Sequence, residues 1–193
     1  MAASATNIIA GAATLWRGDL GAAEPPDTDV NADFDPEVWT DLGGTDDGVT
    51  STVSHEWFEA RMDQVIDVPE RRKTSRTITV ATNLVEGTLE NLLLAIAQSA
   101  DTIVSGGTGA TANRSFEAQG DDSGAIPDYS AIILRGRAPA GKTRLFIVRK
   151  VLQTEDVESA YKKDDQWLIP VTFSAHWVSS TVRPFKVVED ASV

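Results

Sequence analysis

A mainly β fold, a sandwich or barrel of two antiparallel sheets with one flanking α-helix, is what this 193-residue chain predicts. Three patterns carry that expectation. From Gln166 to Trp177 the residues alternate strictly, with Trp167, Ile169, Val171, Phe173, Ala175 and Trp177 on one side and Gln166, Leu168, Pro170, Thr172, Ser174 and His176 on the other. That is the two-residue period of a strand. A threonine-rich strand pattern, Thr77-Ile78-Thr79-Val80-Ala81-Thr82, runs almost without a break into the one strong amphipathic stripe. Everything else that is richly patterned reads as strand.

Taken in chain order, Ala12–Arg17 forms a first short strand. Residues 18–35 are dense in Asp, Pro, Ala and Gly and read as a long surface loop, mobile until covered; with the residues before it, it makes an N-terminal arm and loop over 1–35. The run 38–44 leads into the turn Asp46-Asp47-Gly48. Then 49–58 alternates, with Val49, Val53 and Trp57 on one side and Thr50, Thr52, Ser54 and Glu56 on the other, as a half-buried strand does.

The next fifteen or so residues, 59–73, read as a long connection. They carry Glu59, Arg61, Asp63, Asp67, Glu70, Arg71, Arg72 and Lys73 around an apolar group of Met62, Val65, Ile66 and Val68, the mixture expected of a contact arm. The helix is expected over about 84–98, because Val85, Leu89, Leu92, Leu93 and Ile96 recur at helical spacing, while Glu86, Glu90, Asn91 and Gln98 fall opposite. Asn83 serves as its N-cap, with Glu86 completing a capping box. Residues 105–124 are rich in Gly, Thr and Ser and read as a loop. Strands follow at 131–135, 144–152, 167 onward and 182–188. Pro170 donates no ladder hydrogen bond, so its strand lies at an edge or carries a bulge.

Composition narrows the function. The net charge is −12, with 29 acids against 17 bases, so an ordinary nucleic-acid binder is not expected, since phosphate neutralisation needs clustered cations. There is no cysteine, and two histidines leave little for zinc chemistry. Residues 1–14 lack a basic start and an apolar stretch long enough for a leader or a membrane span, so the chain reads as made in the cytosol and soluble. A single domain over 1–193 is the default at this length.

Several motifs satisfy a formula without its context. Gly136-Arg137-Ala138-Pro139-Ala140-Gly141-Lys142-Thr143 fits the phosphate-loop expression, in which backbone amides cradle phosphates, Lys142 neutralises them and Thr143 binds magnesium. The β-branched and aromatic residues downstream favour a second strand instead of a helix, making the octet a hairpin turn. Residues 107–112 match a dinucleotide fingerprint but follow a helix. Asp27, Asp29, Asn31, Asp33 and Asp35 lack the Gly and Glu a calcium loop needs. Ser54, His55 and Glu56 are strand neighbours that point to opposite faces and form no relay. His176 lies opposite Trp177 and reads as a lone surface or sheet-edge histidine. No catalytic, cofactor or metal constellation emerges.

The order of these pieces resembles the major tail protein, or tail tube protein, of long-tailed bacteriophages. The residues that carry the resemblance are 39–43 before 47–49, the strand-to-helix run 77–92, and 161–173; it spans about residues 36–178. The resemblance implies a virion protein, present in the host cytoplasm during assembly, whose hexameric rings stack into a hollow tube that conducts the genome. It implies as partners further copies of the chain and the tape measure, tail terminator and baseplate proteins. DNA would pass through the lumen unbound, the acid excess keeping it from sticking. In that family a long connection between early strands reaches the neighbouring ring. Here the matching segment is 59–73, with Glu59, Arg61, Met62, Asp63, Val65, Ile66, Asp67, Glu70, Arg71 and Arg72 as the expected contacts. Two alternatives stay open: a nucleotide hydrolase using 136–143, and a tail-completion or baseplate protein of related fold.

Overall fold

The structure, a computed structural model, describes residues 7–99, 102–117 and 127–190. It is mainly β, with one α-helix and antiparallel sheets. The strands are β1 (Thr14–Asp19), β2 (Trp39–Asp41), β3 (Thr45–Met62), β4 (Val65–Leu84), β5 (Val104–Gly106), β6 (Asn113–Ser115), β7 (Ser130–Arg137), β8 (Thr143–Gln153), β9 (Ile169–Ala175) and β10 (Phe185–Glu189). The helix α1 is Leu89–Ala95. Eight strands form one sheet, ordered β2-β1-β7-β8-β9-β4-β3, with β10 also pairing β8. The small β5–β6 ladder is the second sheet.

The large sheet is rolled up, and chain connectivity shows why. Its two terminal strands, β2 and β3, follow one another in sequence. The Leu42 amide donates to Leu15 O at 3.0 Å, continuing the β2 side, while Gly44 O accepts from the Val85 amide at 2.9 Å, continuing the β3 side. Only Gly43 lies between them, so the two rims approach to within roughly 7.6 Å, two Cα steps. Gly43 has φ +84°, which strains any residue with a side chain, and a Cβ there would lie 2.2 Å from the Glu86 carboxylate and displace it from the seam.

Alternation then places a core on each face of the central strands. On one face Leu15, Ile132, Leu134, Val148 and Val151 join Val80, Leu84, Ile169, Val171 and Phe173 from β4 and β9, with Leu94 and Ala95 of α1 packed among them. On the other, Ala131, Ile133, Leu145 and Ile147 meet Val30, Phe34 and Trp39. The unbroken run Ala131-Ile132-Ile133-Leu134 is apolar because both its faces are covered. Each fully buried Leu, Ile or Phe contributes about 1.5–3 kcal/mol.

That second core covers the loop expected to be mobile over 18–35. Residues 14–19 are a strand, and the loop after it is pinned by Val30, Phe34 and three polar ties. Trp39 Nε1 donates to Ala23 O at 2.8 Å. The Arg135 guanidinium lies 4.0 Å from the Phe34 ring centroid and donates to Ala32 O. Arg149 Nη2 donates to Glu24 Oε2 at 3.0 Å. The loop acids serve turns: Asp29 Oδ1 accepts from the Asn31 amide and Asp35 Oδ1 from the Glu37 amide. Residues 8–13 lie outside the strands and are mostly exposed; positions 1–6 fall outside the described residues.

The helix is shorter than its periodicity predicts. Residues Asn83 and Leu84 belong to β4, paired with Pro170 and Ile169, so Asn83 is not a cap. The N-cap is Thr88, whose Oγ1 accepts from the Asn91 amide at 3.2 Å. Glu86 makes no capping box; its Oε1 accepts from the Gly44 amide at 3.1 Å, across the seam. Of the predicted stripe, Leu93 is buried, while Val85, Leu89 and Leu92 are half-buried. Ile96 is exposed at the C-cap. The buried face is Asn91, Leu93, Leu94 and Ala95. Asn91, expected on the polar side, is instead buried and splits its two amide protons between Leu42 O (3.1 Å) and Glu86 O (2.9 Å), locking helix to seam.

The strand expected from Trp167 starts at Ile169 and stops at Ala175, leaving Trp177 72% exposed. Pro170 sits where β9 has outrun β8, whose pairing ends at Gln153 opposite Phe173. The Thr172 amide points to the β8 side, donating to Gln153 Oε1 at 2.6 Å. Two residues earlier, Pro170 faces the same way past the end of β8, where no donor is needed. Residues 105–117, expected as loop, include part of the β5–β6 ladder; 118–124 of that expected loop lie outside the described residues.

Candidate assembly interface

Beyond the body, β3 and β4 continue as a two-stranded ribbon. Pairing of β4 with β9 covers only Thr79–Leu84, and among the described residues β3 has no strand partner on its outer edge. From Ser54 through Thr77 no residue is buried. Nine residues of β3 at about 3.3 Å each make the ribbon roughly 30 Å long. The connection expected over 59–73 is therefore no loop. It is the far end of a hairpin in which Met62 pairs with Val65 around the two-residue turn Asp63-Gln64. Charged residues share the ribbon with the β-branched Val65, Ile66, Val68, Thr74 and Thr77, which suits a pleated surface wetted on both sides.

The ten predicted contact residues are brought together at this end. Glu59 is the centre of its charge network: Arg61 Nη2 donates to Oε2 at 2.8 Å and Arg71 Nε to Oε1 at 3.0 Å. Hydrogen bonds from Arg61 and then Arg71 hold the Glu59 carboxyl below its ordinary pKa. Arg72 Nε donates to Glu70 Oε1 at 3.2 Å. Met62, Val65 and Ile66 are exposed, Ile66 completely, while Asp63 and Asp67 flank them.

Sequence reasoning missed a second set. Val53, Trp57 and Phe58, expected on a half-buried strand, are all exposed, Phe58 at 59%. Trp57 carries the Lys73 ammonium 5.3 Å from its ring centroid and the His55 ring edge-on at 6.1 Å. Glu56, on the other face, accepts from Ser75 Oγ at 2.8 Å. The signal that could have revealed this was the two-residue turn at 63–64: strand alternation on both sides of it extends the hairpin well beyond the reach of any third strand. Irregularities between Glu56 and Trp57 and between Ala60 and Met62 interrupt the ladder and add twist.

The ribbon also differs in charge. Within Ser54–Thr77, Glu56, Glu59, Asp63, Asp67 and Glu70 balance Arg61, Arg71, Arg72, Lys73 and Arg76, so the whole excess of −12 belongs to the rest of the chain.

The other motifs take their places in the fold. Gly136–Thr143 is the tight turn between β7 and β8: Arg137 pairs with Thr143, the Ala138 amide donates to Lys142 O at 2.7 Å, and the chain continues as strand. No helix N-terminus follows to receive a phosphate. Residues 109–111 form a single 3₁₀ turn. His176 packs edge-on against Tyr129, ring centroids 5.2 Å apart, and its Nε2 is buried with no hydrogen-bond partner. Among the described residues no helix is long and apolar enough to cross a membrane, and no three His, Asp or Glu side chains are grouped to hold a metal ion. Protein-family models and curated protein sequences contain no match to this chain.

Proposed function

We propose that this chain is a structural subunit that polymerises with copies of itself. In keeping with its resemblance to tail tube proteins of long-tailed bacteriophages, its hexameric rings stack into a hollow tube that lets DNA slide through. One observation carries the reading: a roughly 30 Å two-stranded ribbon leaves a closed body and displays Trp57, Phe58, Met62, Val65 and Ile66 to water. An isolated hairpin is marginal in water, and aromatic side chains gain most when another surface covers them. A second copy is the partner that the charges favour, since a neutral arm approaches an acidic body without the repulsion two bodies would feel. The unpaired rim of β3 offers a further seat for strand addition. An anionic body suits passage of a polyanion, because it releases no counterions on contact and so holds none of the DNA back.

Negative-stain microscopy of the concentrated purified chain tests this directly. Rods with a central bore are expected. Reversing Arg61, Arg71 and Arg72 to glutamate should leave the thermal melt of the monomer unchanged and abolish the rods. A single sedimenting monomer at every concentration, with no rods in the micrographs, overturns the reading.

A further inference from the structure

The body carries a receptor that matches the ribbon tip, an inference that rests on the self-assembly reading above. Where the chain turns back after β1, Leu20, Ala22, Trp39, Ile147, Val178 and Val182 line an open cavity of about 380 Å³. Its wall is apolar, and its charged lining is Glu24, Arg149 and Lys150, a small cationic excess on an acidic body. Arg149 and Lys150 border it, and Arg183 is tied to it through the Arg149 Nη1 hydrogen bond to Arg183 O at 2.6 Å. Arg149 is already neutralised by Glu24, as is Lys186 by Glu24 and Asp27. The Lys150 ammonium lies 4.1 Å from the Tyr129 ring centroid. Among the described residues no carboxylate is within salt-bridge distance of Lys150 or Arg183.

The ribbon tip is the complement of this surface. Met62, Val65 and Ile66 form an exposed apolar knob, and Asp63 and Asp67 stand on either side of it. We propose that the tip of one copy's ribbon seats in this cavity of a second copy, with Ile66 entering the apolar wall and Asp63 and Asp67 facing Lys150 and Arg183. Knob and cavity lie on different parts of the molecule, so the contact is heterologous. Each subunit that donates a tip still offers an empty cavity, and such contacts propagate until a ring closes or a filament grows. The like-signed bodies need not touch for the chain of contacts to continue, because the ribbon spans the distance between them.

The absence of cysteine makes the contact testable by cross-linking. A chain carrying both Ile66→Cys and Val182→Cys should, on mild oxidation, give a ladder of covalent multimers on a denaturing gel, while either single variant stops at dimers. Asp63→Lys with Asp67→Lys should raise the protein concentration needed for polymer at least tenfold. Adding Lys150→Glu and Arg183→Glu to that chain should bring it back. Circular-dichroism melts matching the unmodified chain confirm that each variant is folded. Rods without a ladder, and charge-reversed tips not rescued by the reversed rim, would overturn the cavity as receptor while leaving ribbon-mediated assembly standing. No polymer from the unmodified chain at any concentration would overturn both.

Discussion

The two ends of one strand pair behave oppositely. At its root, β4 lies between β3 and β9, and Val80 and Leu84 are buried beneath α1 and the opposite strands. At its far end the same two strands keep their pairing, yet Trp57 and Phe58 on β3 and Ile66 on β4 stand in water. Pairing runs on to Met62↔Val65 with only local irregularities, so pairing alone buries nothing. Burial needs a covering layer, which the root has in its own chain and the far end lacks. The root is a folding unit, and the far end is a surface that no described part of the chain covers.

Four substitutions break or sharpen that contrast. The largest effect should come from Phe173→Ala, which empties the middle of the core beside the root; a loss of about 3–5 kcal/mol in urea unfolding is expected. Asn91→Ala should come next, at about 1–3 kcal/mol, because Leu42 O and Glu86 O lose a buried donor. Its loss should also speed amide exchange around the Gly43 seam, which hydrogen-exchange mass spectrometry would detect.

Glu24→Gln should have a smaller, pH-dependent effect. Hydrogen bonding from Arg149 holds the Glu24 carboxyl below its ordinary value. A depressed folded-state pKa stabilises above the unfolded value, near 4.3 on average, and that stability is lost as the pH falls through the folded value. Glu24 keeps 26% of its side-chain surface in solvent, which partly screens the pair, so the gap between variant and parent should be about 1 kcal/mol at neutral pH. Melts taken at successively lower pH should show the gap closing. The smallest effect belongs to the far end: replacing 54–77 by Asn-Gly, which rejoins the paired residues Val53 and Ile78, should change the unfolding free energy by no more than about 0.5 kcal/mol. If that excision unfolds the body, the division into root and ribbon is wrong.

Much of the body was legible because its signals are local. The strict alternation over 169–175, the apolar run at 131–134 and the β-branched residues after Thr143 all end as strands near the expected bounds. The helix was overextended because Leu84, the last residue of β4, and Val85 just after it fall in phase with a true helix beginning at Leu89. Gly87 and Thr88 between them are the break and the cap. The polar appearance of Asn91 concealed a buried role, since an amide can be sequestered only where carbonyls happen to converge, and convergence is a property of the fold. In the loop before β2, many acids obscured two anchors, Val30 and Phe34. The ten expected contact positions drew notice by their mixed character, but the extended geometry was hidden, because alternation reports which face a side chain takes and not whether anything lies against it.

The way the ribbon is rooted has a mechanical corollary. Antiparallel ladder bonds run across the strands, so a pull along the ribbon axis loads the pairs from Thr79↔Ser174 to Leu84↔Ile169 in shear, all at once. Unzipping, in which bonds fail one after another, would require a sideways force. The joint between ribbon and body therefore resists tension along the ribbon far better than torsion or peeling, as a dovetail does.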